Sequence, residues 1–96
     1  MKKAPKHLKT ASKRLWEKLL SDYHIDDSAG LALLEAACFA YQRGEEAREL
    51  VRREGLTVTD RFKQIRPHPG VAIERDSRAQ MIAALRALKL APSEVD

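Results

Sequence analysis

Residues 55 to 70 read GLTVTDRFKQIRPHPG, and they break a chain that otherwise reads as helix on both sides. Gly55 opens the stretch, Leu56 to Thr59 is a β-favouring run, and Pro67 and Pro69 flank His68. Proline lacks a backbone donor and biases the residue before it to extended geometry, so Arg66 and His68 are turned away from helix. Any fold must therefore bring one helix into this stretch and another out of it, with something short and extended between. Gln64, Ile65 and Arg66 can return across the polar turn of Asp60 to Lys63. The stretch is expected to form a small β-hairpin or extended arm at about residues 56–66. A lone two-stranded hairpin is marginal in water, so it should pack on helices or pair with a neighbour.

The helix before it is expected from about residue 28 to Glu54, with Asp26, Asp27 and Ser28 offering N-cap oxygens. Its first half, AGLALLEAACFAY, is apolar around most of its circumference, the pattern of a helix buried on several sides. A chain of 96 residues has little of its own to cover it with. Leu31, Leu34, Cys38 and Tyr41, together with Leu56, Val58, Phe62 and Ile65 of the hairpin, are therefore the expected contacts between copies of the chain. The second half, QRGEEARELVRRE, is amphipathic, with Ala47, Leu50 and Val51 inside. Gly44 costs about 1 kcal/mol relative to alanine and points to close packing or a bend. Gly55 stands where a left-handed C-cap residue belongs.

An earlier helix begins at Thr10, with Leu15, Trp16, Leu19, Leu20 and Tyr23 on one face and Thr10 or Ser12 as candidate caps. A third is expected from about Gly70 to Leu90, with Ile73, Ser77, Met81, Leu85 and Leu88 inward. The expected fold is mainly α: a flexible basic arm over residues 1–9, one helical domain over residues 10–91, and a short polar tail over 92–96. That domain holds about three helices, the central one long, and the hairpin lies between the second and the third.

Charge is uneven along this chain. Seven basic residues against Glu17 alone give residues 1 to 18 a surplus of six positive charges, out of a whole-chain total of +4. A basic arm before a near-neutral body is an electrostatic footprint for phosphate, chiefly that of nucleic acid, although a solvated tail has the same composition. Lys2, Lys3, Lys6, Lys9, Lys13, Arg14 and Lys18 are the candidate DNA contacts. Arg61, Lys63 and Arg66 form a second cluster at the hairpin, where pairing with Asp60 is the competing role. The five aromatics make readout by base stacking a weak candidate.

Other chemistries find little support. Cys38 is the only cysteine, so no internal disulfide and no cysteine-rich zinc site can form. On an apolar helix face it reads as a buried structural thiol. His7, His24 and His68 make no helical metal pair. Glu45, Glu46 and Glu49 lie at helical spacing from Arg48, Arg52 and Arg53, and Glu74 and Asp76 stand near Arg75 and Arg78, which reads as ion pairing. No phosphate loop and no set of nucleophile, base and oxyanion donors is present. Neither an enzyme, a cofactor nor a metal is expected. The basic start has no apolar run behind it, and no stretch reaches the length of a membrane span. A soluble protein of a reducing cytoplasm is the expectation.

The order of the pieces carries a resemblance. APKHL, the helix with LWEKLLSDY, the long AGLALLEAACFAYQRGEEARELVRREG, then GLTVTDRFKQIRPHPG and ERDSRAQMIAALRALKLAP together resemble the small subunit of tailed-phage terminases, of the P-twenty-seven type. The resemblance covers roughly residues 4 to 92. Its most specific part is the join from Gly55 and Leu56 through Pro69 to the helix with Arg75 and Arg78. That family tends to close its last helix with glycine between two leucines, where this chain has Lys89. The resemblance implies a non-enzymatic protein of genome packaging in the host cytoplasm. It would form a closed ring of identical subunits, bind double-stranded viral DNA, and regulate the ATPase and nuclease of the terminase large subunit.

Two other functions compete. A dimeric helix-turn-helix regulator could use the first two helices, but AGLALLEAA offers none of the Arg, Asn or Gln that a base-reading helix needs near its start. The other is a structural interaction module without nucleic acid, which failure to bind DNA at low salt would favour.

Overall fold

The structure is a computed structural model and describes residues 3–89. Lys2, Leu90 and the 92–96 tail lie outside the described residues. The elements are α1 (Thr10–Tyr23), α2 (Ser28–Glu54), β1 (Thr57–Thr59), β2 (Ile65–Pro67) and α3 (Pro69–Ala87). The mainly helical fold with a hairpin between the second and third helices is as the sequence implies.

The start of α2 is fixed by Asp27, whose carboxylate accepts the Gly30 N–H at 3.0 Å. At its end Gly55 takes φ +95°, a region that side chains with a Cβ rarely enter, and donates its N–H to Val51 O at 2.7 Å. Between these caps α2 runs for 27 residues, about 40 Å at 1.5 Å per residue. It is the spine on which α1 and α3 pack.

The most extensive helix–helix contact is between α2 and α3, and small side chains line it. Ala47 and Gly70 are buried where α2 and α3 meet, as is Ser77 opposite Gly44. A Cβ placed on Gly44 would sit 3.4 Å from Ser77 Cβ, so Gly44 serves close packing. Gly70 lies tighter still, with Val51 Cγ2 2.7 Å from where its Cβ would be. The seam explains a departure from the expected inner face of α3. Ser77 is buried and Met81, Leu85 and Leu88 are half-buried, but Ile73 is exposed. A narrow seam selects small residues, and the branched Ile73 falls outside it.

α1 packs on the N-terminal half of α2. Leu8, Trp16, Leu20, Leu34 and Cys38 form the core, with Ala4, Leu15, Leu19, Ile25, Leu31 and Leu88 against it. The Trp16 indole N–H is buried there without a hydrogen-bond partner among the described residues. Tyr23, expected on this face, stands exposed at the last residue of the helix. Neither Thr10 nor Ser12 caps α1. Lys9 occupies the N-cap without a side-chain bond, and Ser12 is buried. The reason lies just upstream: Leu8 inserts into the core and Lys9 donates its backbone N–H to Gln42 Oε1 at 2.6 Å. Residues 4–9 thus lie along α2.

At the other end α3 closes with Leu88 as C-cap, and Lys89 takes φ +61°. The left-handed conformation that glycine would adopt with ease is kept here by a lysine.

Candidate functional site

Two groups of cations and one apolar projection stand out from this frame. The first group sits on α1. Arg14 and Lys18 are exposed and Lys13 is half-buried, and none of them pairs with an acid among the described residues. Lys3 and Lys6 are exposed just before the helix. Lys9 differs, because its Nζ contacts Glu46 Oε2 at 2.6 Å. Its charge is already answered within the chain.

The second group is on the hairpin. β1 and β2 pair antiparallel, with Val58 opposite Arg66, and the base is closed by the His68 N–H donating to Leu56 O at 2.7 Å. Asp60 organises the five-residue loop. Its carboxylate accepts the N–H groups of Phe62 at 2.8 Å and Gln64 at 2.9 Å, and also the Arg66 Nε at 2.7 Å. The Arg66 bond foremost, and then the Gln64 N–H, hold the Asp60 carboxyl below its ordinary value. Arg66 is thereby committed to the loop, as its sequence neighbourhood suggests. Arg61 and Lys63 are left exposed, with the Arg61 guanidinium 4.9 Å from the centre of the Phe62 ring. α1 packs on Leu34 and Cys38 of α2, and the hairpin starts beyond Glu54.

The apolar projection is the hairpin itself. Leu56, Phe62 and Ile65 are 69%, 69% and 75% exposed, and Val58 is half-buried. β1 and β2 make their main contact with each other. Among the described residues, packing on helices gives the hairpin little support. The other half of the expected interface fares differently. Leu34 and Cys38 have no exposed surface, because α1 and residues 4–9 cover them, so they offer nothing to a second copy. Burial pushes the Cys38 thiol up to about 11, which removes it as a nucleophile at neutral pH. Leu31 is half-buried against the same core, and Tyr41 is half-buried elsewhere.

Tyr41 marks a feature the sequence does not disclose. It floors a groove of about 710 Å³ between α1 and the α2–α3 pair, lined by Ala11, Leu15 and Met81 and rimmed by Arg14, Glu17, Lys18 and Asp22. A second hollow of about 500 Å³ continues past Tyr41 and Met81 to Gly44. Three segments far apart in the chain meet here, so no local pattern could announce it.

The place of His68 is equally invisible in the sequence. It is buried, caps α3 by accepting the Gly70 N–H on Nδ1 at 2.9 Å, and bonds Glu54 Oε1 through Nε2 at 2.8 Å. Since Gly70 donates to Nδ1, the ring proton belongs on Nε2. The role is structural: it ties the end of α2 to the start of α3 beneath the hairpin. Glu49 pairs with Arg52 at 2.6 Å and Glu74 with Arg78 at 2.9 Å, as their spacing implies, whereas Glu46 pairs with Lys9 instead. Among the described residues no group of three or more His, Cys, Asp or Glu could hold a metal ion. No helix among them is long and apolar enough to cross a membrane.

Fold and site together define a small helical protein whose distinguishing features are surfaces: a cationic helix, an open groove and a projecting apolar hairpin. Residues 9–95 match the family model described as phage terminase, small subunit, and the chain belongs to that family. Membership gives it a role in phage DNA packaging. No curated protein and no solved structure matches the chain.

Proposed function

We propose that the protein is the non-enzymatic small subunit of a P-twenty-seven-type terminase. It assembles into a closed ring in the host cytoplasm, holds double-stranded viral DNA, and regulates the ATPase and nuclease of the large subunit. The observation that carries DNA binding is the set of unpaired cations on α1, Lys13, Arg14 and Lys18, continued by Lys3 and Lys6. The exposed hairpin supports self-assembly, since an apolar projection of this kind is the mark of an interaction surface. The helix-turn-helix alternative is disfavoured by α2. Its first turns carry alanine, glycine and leucine, and Gly30 and Leu34 are buried.

Binding of this type rests on phosphate contacts and falls steeply with salt. Replacing Lys3, Lys6, Lys13, Arg14 and Lys18 by alanine should weaken binding to duplexes of every sequence. The slope of log K against log salt should flatten by roughly one for each of these cations that touches a phosphate. A titration of fluorescent duplex across several salt concentrations measures both. Unchanged affinity and slope would remove α1 and its approach from the DNA interface. The same titration at Lys9→Ala should show a smaller loss, because Glu46 already holds that charge.

A further inference from the structure

The groove and the hairpin fit one another, yet within one chain they do not meet. The apolar residues lining the groove include an aromatic ring and a thioether, Tyr41 and Met81, beside Ala11 and Leu15. Phe62 at the hairpin tip is the kind of side chain that such a floor receives, through ring–ring and sulfur–ring contacts. No residue of the hairpin lines either hollow. Tyr41 stands 13 residues before Glu54, about 20 Å back along the axis of α2, and the hairpin begins only beyond that. The knob that suits the groove therefore belongs to another molecule.

Charge supports the same occupant. Arg61 and Lys63 beside Phe62 pair with no acid among the described residues, and Glu17 and Asp22 on the groove rim pair with no cation among them. Arg14 and Lys18 share that rim. An arriving tip would set its cations against Glu17 and Asp22, and would also bring them beside Arg14 and Lys18.

From this complementarity we infer that the Tyr41–Met81 groove receives the Phe62 hairpin tip of a second copy of this chain. Knob and groove are different surfaces, so the contact is head to tail, and repetition of such a contact closes a ring or grows a filament. The inference rests on the ring reading above and gives it a polarity.

The test uses two variants, each lacking one half of the contact. Phe62→Asp removes the knob at an exposed site, and Met81→Lys blocks the groove. Ala11→Arg, an exposed groove residue, blocks it a second way should Met81→Lys fail to keep its helical circular dichroism. Mass is read by light scattering after gel filtration. The wild type is expected as a many-copy species, and each variant alone as a single chain of 10.9 kDa. An equimolar mixture of the two is expected at twice that mass, since one intact knob meets one intact groove and no further contact can form. If both variants keep the wild-type mass, the ring reading survives and this contact is wrong. If the mixture stays at single-chain mass, Phe62 and Met81 are not two halves of one contact, and the inference fails. A wild type that is already a single chain overturns both.

Discussion

The first half of α2 and the hairpin both carry large apolar side chains, and both are expected from sequence to face another copy. In three dimensions they part. Leu34 and Cys38 have no exposed surface, whereas Phe62 and Ile65 are 69% and 75% exposed. The difference comes from what each can reach within its own chain. Residues 4–9 and α1 lie directly before α2 and fold back over it, with Leu8, Trp16 and Leu20 as the cover. The hairpin is held off the end of the α2–α3 pair by Gly55 on one side and the Pro67–His68–Pro69 turn on the other. Apolar content thus states a demand for burial, and chain connectivity decides whether the demand is met internally or by a partner.

The sharpest way to break this comparison is to truncate one residue in each region. Leu34→Ala removes a side chain packed on all sides, and it should lower the unfolding free energy by about 2–5 kcal/mol. Ile65→Ser should leave the stability of the single chain within about 0.5 kcal/mol, because the side chain packs against almost nothing in its own subunit. Urea titrations followed by circular dichroism, run under conditions where the chain is monomeric, compare the two. Equal losses would mean that the hairpin is buried within its own subunit after all.

A smaller effect is expected at the junction that holds the hairpin off. Gly70→Ala would put a Cβ 2.7 Å from Val51 Cγ2, 3.1 Å from His68 Nδ1 and 3.2 Å from Ala47 O. The Val51 methyl can turn aside, but the carbonyl cannot without moving α2. The cost should be about 1–3 kcal/mol in the same titration. A neutral result would show that α2 and α3 can separate freely at this end, and the hairpin would then have no fixed direction.

How much of this is legible in the sequence depends on whether the signal is local. The limits of α2 follow from Asp27 and Gly55, and the hairpin from its glycine and proline punctuation, because caps and turns are read from adjacent residues. Helical periodicity finds the α1 core residues Trp16 and Leu20 but puts Tyr23 and Ile73 inside as well, since it locates a face and not the width of the contact. The α2–α3 seam is narrow and lined by glycine, alanine and serine, residues that a search for large apolar side chains passes over. Leu8 sits alone among lysines, with no periodicity to mark it. Its neighbour Lys9 finds its partners 33 and 37 residues away, at Gln42 and Glu46. The Tyr41 groove depends on three segments at once and has no signature at all.

The finest test concerns the order of the hairpin loop, which rests on a single carboxylate. Asp60 binds Arg66 and the N–H groups of Gln64 and Phe62 most strongly while ionised, and these partners hold its carboxyl below the ordinary value. A group whose native value is depressed contributes stability that is fully present above its unfolded value, about 3.9 for aspartate, and that is lost as pH falls through the native value. The loop should therefore stay ordered from neutral pH down to about 4 and loosen only in stronger acid. The core should not follow, because no buried residue of the α1–α2 cluster is a carboxylate. Amide chemical shifts of Phe62 and Gln64, recorded from neutral pH into strong acid, report the loop, while Leu34 reports the core. Asp60→Asn should abolish the loop transition and leave the Leu34 signal unmoved. A transition at the same pH for loop and core would mean that hairpin and helices unfold as one unit, and the contrast between a self-sufficient α2 and a hairpin awaiting a partner would collapse.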